Sequence, residues 1–401
     1  MLTKEENELL TRVGPGTAMG DLLRRYWHPV AMARELTTEQ PTKFVRILGE
    51  DLVLFRDKSG HVGLIADHCA HRSASLYYGR VEERGIACAY HGWLYDTEGR
   101  CLETPAEPAD SKFHLTVRIT AYPVRRFVGM YWAYMGPLPA PEIPRYDVWA
   151  RQDGIRKLAM YPRLDASWLE AMENSVDPAH LQVLHQEFTG RGRTPPGTTR
   201  GFTDDVAGFK FYEVPYGIIK KRTYANGKMD EHPLIFPNIL RQGNATQIRV
   251  PMDDTHTNIF FVYFLPVANG ANGHVALEDE DPEVIDVAPF KDPPNALHPF
   301  TRFTLDAVLA QDHMAWETQG PIVDRSHERL ATSDRGIAMY RDILRREIDK
   351  IQEGGDPLAV VRDPQHAIIE TFLTESLAEG WFDPARRDGG QPRPREALAR
   401  A

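Results

Sequence analysis

Residues 67–101 read DHCAHRSASLYYGRVEERGIACAYHGWLYDTEGRC and hold two short loops, each offering one thiol and one imidazole. The spacing is Cys69-x-His71, sixteen residues, then Cys88-x-x-His91. An iron–sulfur cluster with two Cys on one iron and two His on the other needs such a set. Thiolates suit ferric iron and sulfide, while neutral imidazoles reduce the negative charge and raise the reduction potential. Zinc also accepts two thiolates and two imidazoles. Zinc fingers, however, usually pair Cys with Cys and His with His, and here each loop is mixed. Gly79, Gly92 and Gly99 fit tight turns whose N–H groups point at sulfur.

A second constellation lies in SWLEAMENSVDPAHLQVLHQE (167–187), which supplies Asp177, His180 and His185. A mononuclear iron that activates O2 is typically held by two His and one carboxylate, leaving positions open. His180 and His185 are five apart. At about 100° per residue they diverge by roughly 140° on a regular helix. Both reach one ion only if the helix widens into a π-type turn or ends before His185, so a distortion is expected between them. Candidate carboxylates in FTLDAVLAQDHMAWETQG are Asp306, Asp312 and Glu317. Taken singly, each of these His satisfies an ordinary hydrogen bond more often than it binds metal, and each acid more often sits on a solvated helix face.

The first set, followed by HGWLYDTEGRC, resembles the Rieske [2Fe–2S] domain at the front of Rieske non-haem iron oxygenases. The resemblance implies that Cys69 and Cys88 bind one iron and His71 and His91 the other. The run Glu173-Asn174-x-x-Asp177-x-x-His180-x4-His185 matches the mononuclear-iron motif of that family. It implies that His180 and His185 bind catalytic iron, that Asn174 lies beside it, and that Asp177 links this site to the cluster. The implied link joins His180 to His91 across a subunit boundary. Asp312 is the carboxylate ligand the resemblance favours. FPNILR, VPMDDTHT, QDHMAWETQGPI and SDRGIAMYRDILRREI resemble the phthalate-dioxygenase-like branch, which forms trimers or stacked trimers and acts on aromatic carboxylates and aryl ethers.

The elements that must position these groups divide the chain. Residues 1–40 read as N-terminal helices packing on the catalytic domain, with a Thr3/Glu6 capping box. Residues 41–140 are an all-β Rieske domain, 150–385 a catalytic mononuclear-iron domain, and 386–401 a disordered tail. The expected fold class is α+β, the second domain having an antiparallel sheet flanked by helices (helix-grip, START-like). Asn226-Gly227 marks a hairpin. The stretches 188–201 and 268–299 read as long loops. Lys220, Lys221, Arg222, Arg241 and Arg249 fall in predicted strands, each either a carboxylate partner or an exposed strand charge.

The 401 residues carry a formal charge of −10, which argues against nucleic acid or an anionic membrane as partner. The three Cys support no disulfide framework, and Cys101 reads as a small buried hydrophobe. With no signal peptide or apolar span evident, the expected location is cytoplasmic. No nucleotide-binding glycine motif is present, so electrons are expected from a separate protein; the resemblance implies a flavin/iron–sulfur reductase, with NAD(P)H and flavin acting only through it. The first reading is a terminal oxygenase that uses O2 to hydroxylate an aromatic, carboxylate-bearing substrate. An aryl-ether O-demethylase has the same ligands. The readings from other classes are a Rieske electron carrier without oxygenase activity and a zinc-binding interaction module.

Overall fold

The computed structural model of the chain describes residues 1–185, 206–267, 276–294, 296, 301–305, 307–365 and 368–371. The expected loop at 188–201 and the expected tail lie outside the described residues. The structure divides into two units: Val13–Ile143 with Val275–Asp281, and Met1–Arg12 with Pro144–His274 and Pro282–Ala401. This corrects the assignment of residues 1–40. Only the first helix, Lys4–Thr11, groups with the unit of Pro144–His274; Trp27–Met32 instead pairs antiparallel with Met130–Tyr134 and belongs to the other unit.

The Val13–Ile143 unit is built from small antiparallel sheets. Thr42–Ile47 and Glu50–Arg56 form a hairpin through Leu48 and Gly49, both with positive φ. Such a turn matches the right-handed twist of the strands. The four-stranded sheet Arg80–Glu82, Gly85–Ala87, Leu94–Tyr95 and Cys101–Glu103 carries the second ligand loop in its middle connection. The first ligand loop follows the strand Val62–Ala66. Phe55, Ile65, Leu76, Ile86 and Tyr95 pack with Cys69, Cys88 and Cys101 in one buried core, so both loops are anchored at their thiols.

The other unit is organised on an eight-stranded sheet. Its order is Val206–Val214, Gly217–Tyr224, Met229–Ile235, Ile239–Gln242, Ala245–Asp253, His256–Pro266, Gly154–Met160 and Glu283–Ile285. All neighbours are antiparallel except the last pair. Glu283–Ile285 and Lys291–Asp292 are strands inside the stretch read as a loop, too short to show a two-residue alternation. The helix Arg335–Gln352 buries Gly336, Tyr340, Ile343, Leu344, Ile348 and Ile351, a single face at helical spacing. Among the described residues no helix is long and apolar enough to cross a membrane.

The helix Trp168–Ser175 starts at Ser167, whose hydroxyl accepts from the Leu169 N–H, and it stops before Pro178, which disfavours helical backbone at Asp177. A buried charge network fixes it. Arg325 donates to both oxygens of Glu173 at 2.9–3.1 Å and lies 3.4 Å from Glu170. Arg341 bridges Glu173 and Glu328. Burial raises the Glu170 pKa despite Arg325 beside it. Removing one member of such a network strands the others in a low dielectric. Arg325→Met is therefore expected to cost about 3–5 kcal/mol, read by urea unfolding; a loss under about 1 kcal/mol would show that water reaches these carboxylates.

Candidate metal centres and active site

The two thiol–imidazole loops share one backbone design. The Cys69 carbonyl accepts from the Ser73 N–H and its N–H donates to the Ala74 carbonyl. Cys88 does the same with Gly92 and Trp93. Ser73 and Gly92, each four residues after the Cys, both have positive φ, at 57° and 75°. Glycine is the default residue there, and serine is the exception the sequence does not reveal. The Gly79, Gly92 and Gly99 N–H groups donate to the carbonyls of Leu76, Cys88 and Asp96, so the expectation that they point at sulfur is corrected.

Cys69 and Cys88 are buried and free, whereas His71 and His91 are at the surface with their Nδ1 atoms 3.1 Å apart. The His71 ring stacks on Trp93 at 4.6 Å. The Tyr95 hydroxyl lies 3.3 Å from Cys69 Sγ. A hydroxyl donor to a ligand sulfur stabilises its charge and tunes the potential. Burial raises the Cys69 pKa, with Cys88 nearby adding to it. Cys101 donates to the Glu103 carbonyl, and burial pushes its thiol up to about 11, as suits an inert core residue. Two inward thiols and two imidazoles turned on each other fit a binuclear cluster. They do not fit one zinc: among the described residues, the only His/Cys/Asp/Glu set whose ligand atoms converge within 4.8 Å is His180, His185 and Asp312.

That second set depends on the distortion expected between its two His. Leu181–His185 is a π-turn, and it brings the two rings to a centroid distance of 5.3 Å. His180 Nδ1 is 3.2 Å from Asp177 Oδ2, and His185 Nδ1 is 2.8 Å from Gln311 Oε1. The Gln311 amide is oriented by its own donation to the Leu305 carbonyl at 2.8 Å. Each ring thus spends its proton on Nδ1 and turns an Nε2 lone pair inward. Those lone pairs point at Asp312 Oδ1, 3.9 Å from His180 and 3.3 Å from His185. Asp312 Oδ1 is itself buried with no hydrogen bond. Three acceptors turned on one point fit a cation and little else. Burial works against the Asp312 charge, and the Arg249 guanidinium works for it. Of the other candidates, Glu317 is held by Lys291, and Asp306 lies outside the described residues.

A pocket opens on the triad, with Asn174, Lys220, Gln242 and Gln247 on its polar side and Leu181 and Leu240 among its apolar walls. Lys220, Arg222, Arg241 and Arg249 are buried, so of the two readings the exposed strand charge fails for these four. Arg241 pairs with Asp147 and Arg222 with Asp230. Burial, then Arg222, lowers the Lys220 pKa to about 7. Asp177 accepts from the Ala179 N–H at 2.7 Å as well as facing His180, and its pKa is lowered despite burial. Gln311, Gln242 and Gln247 escaped the sequence reading: uncharged amides carry no distinguishing signal there, although Gln311 stands next to Asp312.

Residues 26–123 match the Rieske [2Fe–2S] domain, and residues 298–372 match a LigXa C-terminal domain like model. The oxygenase subunit of 5,5'-dehydrodivanillate O-demethylase from Sphingobium sp. is 39% identical, over 95% of this chain and 89% of its own length. The phthalate 4,5-dioxygenase oxygenase subunit of Pseudomonas putida is 33% identical, over 88% of each chain. The solved structure of Pseudomonas putida CBB5 NdmB, at 21% identity, covers 84% of this chain and 95% of its own with a TM-score of 0.60, a likeness of fold.

Gln311→Leu removes the acceptor that holds the His185 tautomer. It is expected to weaken Fe(II) binding about 10–100-fold, measured by anaerobic titration, with the visible absorbance of the cluster unchanged. Undiminished affinity would mean that the ring is held by its packing instead.

Proposed function

Because the chain belongs to the Rieske non-haem iron oxygenases, as a terminal oxygenase subunit using a [2Fe–2S] cluster and a mononuclear iron, we propose that its substrate is an aromatic acid. Electrons come from a separate flavin/iron–sulfur reductase that draws on NAD(P)H. In this reading Cys69, Cys88, His71 and His91 hold the cluster, and His180, His185 and Asp312 hold the iron. The observation that carries it is the convergence of half-buried His180 with buried His185 and Asp312 in the lining of one pocket that also holds Leu181 and Leu240. When bound, the iron supplies O2 activation and the cluster supplies single electrons.

The chain's own residues do the rest. Leu181 and Leu240 give the ring an apolar wall, with buried His185 and Asp312 beside it. Asp177 stays ionised and orients His180. Each of its oxygens keeps a second lone pair, enough to accept an N–H from His91 of a neighbouring copy in a trimer or stacked trimers. That contact would make the carboxylate the electron path between cluster and iron.

O-demethylation is the second reading, favoured by the 39% identity to an O-demethylase subunit along 95% of this chain and by the LigXa-like match at 298–372. An aryl methyl ether, O2, two electrons and two protons would give a phenol, formaldehyde and water. Ring dihydroxylation consumes the same O2, electrons and protons and leaves both oxygens in a cis-diol. Protein loaded with both metals and coupled to a generic reductase should turn over phthalate or methoxybenzoates under labelled O2. Formaldehyde marks the first outcome and a doubly labelled diol the second; no turnover of any aromatic acid overturns the proposal.

Asp177→Asn keeps the shape and removes the charge. We expect both metals to be retained and turnover to fall by more than about tenfold. Undiminished turnover would remove Asp177 from the electron path.

A further inference from the structure

The pocket wall beyond the triad is built to donate. Lys220 is 2% exposed. Its Nζ donates to the backbone carbonyl of Asp177 at 2.9 Å, which uses one of three donors. Among the described residues no carboxylate lies within ion-pair distance of that ammonium. The neighbouring strand cations are served, Lys221 by Glu231 and Arg222 by Asp230. A buried ammonium bonded only to a neutral carbonyl is poorly compensated, and it faces the pocket that holds the iron ligands.

A chain of hydrogen bonds fixes a second donor. Arg249 Nη2 donates to Gln247 Oε1 at 2.9 Å, and Gln247 Nε2 donates to Gln242 Oε1 at 2.6 Å. A guanidinium has no acceptor, so Gln247 must turn its oxygen to Arg249 and its NH2 to Gln242. Gln242 must then accept with its oxygen, which leaves its own NH2 to the pocket that all three residues line. Arg249 is itself locked by donation to the Ala171 carbonyl and Ser175, so the polarity of the relay does not reverse.

We propose that Lys220 and Gln242 together form the receptor for the carboxylate of the substrate, and that this pair selects aromatic acids over their neutral analogues. The inference rests on the aromatic-acid reading above and assigns it to residues. With a carboxylate beside it Lys220 is held as the ammonium and both groups donate, so they favour the two charged oxygens of a carboxylate over the single neutral carbonyl of an ester, and a primary amide would turn its own NH2 on a donor. Leu240, on the same strand as Gln242, offers the apolar surface next to the donor for the ring.

The test is anaerobic calorimetry on the full chain with both metals loaded, using 3-methoxybenzoate, phthalate and their methyl esters. Wild type should bind the acids at least about tenfold more tightly than the esters, since hydrogen bonds to charged groups are the stronger class. Lys220→Met should weaken the acids about 10–100-fold and the esters less than about threefold. Lys220→Arg should restore most of the loss, and Gln242→Glu should repel the acids while leaving the esters bound. Equal loss of acid and ester affinity in Lys220→Met would make Lys220 a structural prop and overturn the assignment. Wild type binding acids no better than esters overturns it too, whatever the variants do. If Lys220→Met does not fold, the Gln242→Glu arm and the wild-type preference still decide. Turnover of neutral aromatics without this preference leaves the oxygenase reading standing while this assignment falls; acid selectivity without any turnover does the reverse.

Discussion

The catalytic unit depends on an arrangement that is unfavourable by itself. His180 and His185 turn Nε2 lone pairs toward a buried carboxylate oxygen that accepts no hydrogen bond. Acceptors set against each other in a low dielectric repel, and the cost of a polar atom buried without a partner is of order 1–3 kcal/mol. A divalent cation turns that cost into binding free energy, because the donors are already desolvated and aimed. The supporting structure is best understood as what keeps this frustrated geometry from relaxing when the ion is away.

Three devices do so. The Asp177-Pro178 break ends one helix and lets the next residues wind as a π-turn, which corrects the 140° divergence that regular winding gives residues five apart. Asp177 and Gln311 take the Nδ1 protons and so choose the tautomers. Arg325 and Arg341 clamp Glu170 and Glu173 and hold the preceding helix against rotation. The cluster loops use a different economy. Their thiols sit in a core with Tyr95 and Leu76, and the imidazoles ride at the surface on a repeated backbone turn, where another molecule can reach them.

Much of this was legible in the sequence because metal chemistry restricts residue types. Cys-x-His and Cys-x-x-His announce a divided ligand set, and the five-residue spacing of His180 and His185 demanded a helix defect. Asp312 was harder. Nothing in an acidic residue on an apolar helix separates a candidate ligand from a solvated charge, and Asp312 and Glu317 differ only in where the fold delivers them. The boundary of the N-terminal segment was misread because strand pairing is non-local: Trp27–Met32 finds its partner a hundred residues later. Gln311, Gln242 and Gln247 stayed invisible, since their roles come from hydrogen-bond polarity that only assembled neighbours impose.

The buried strand cations show why charge cannot be read strand by strand. A period of two says which residues share a face, but not which face meets water: here Lys220 and Arg249 line the pocket, while Arg241, between Leu240 and Gln242, turns to Asp147 instead. With a formal charge of −10, the chain as a whole repels anions at long range. Screening confines that repulsion to roughly 8 Å at physiological salt, while Lys220 and Gln242 donate inside the pocket at contact distance, where the dielectric is low. An acidic surface and an acid-binding pocket are therefore compatible. The surface sets how often an anion arrives, and the buried donors set whether it stays. Selectivity of this kind resides in the dissociation rate, which is where close interactions of buried charge have their effect.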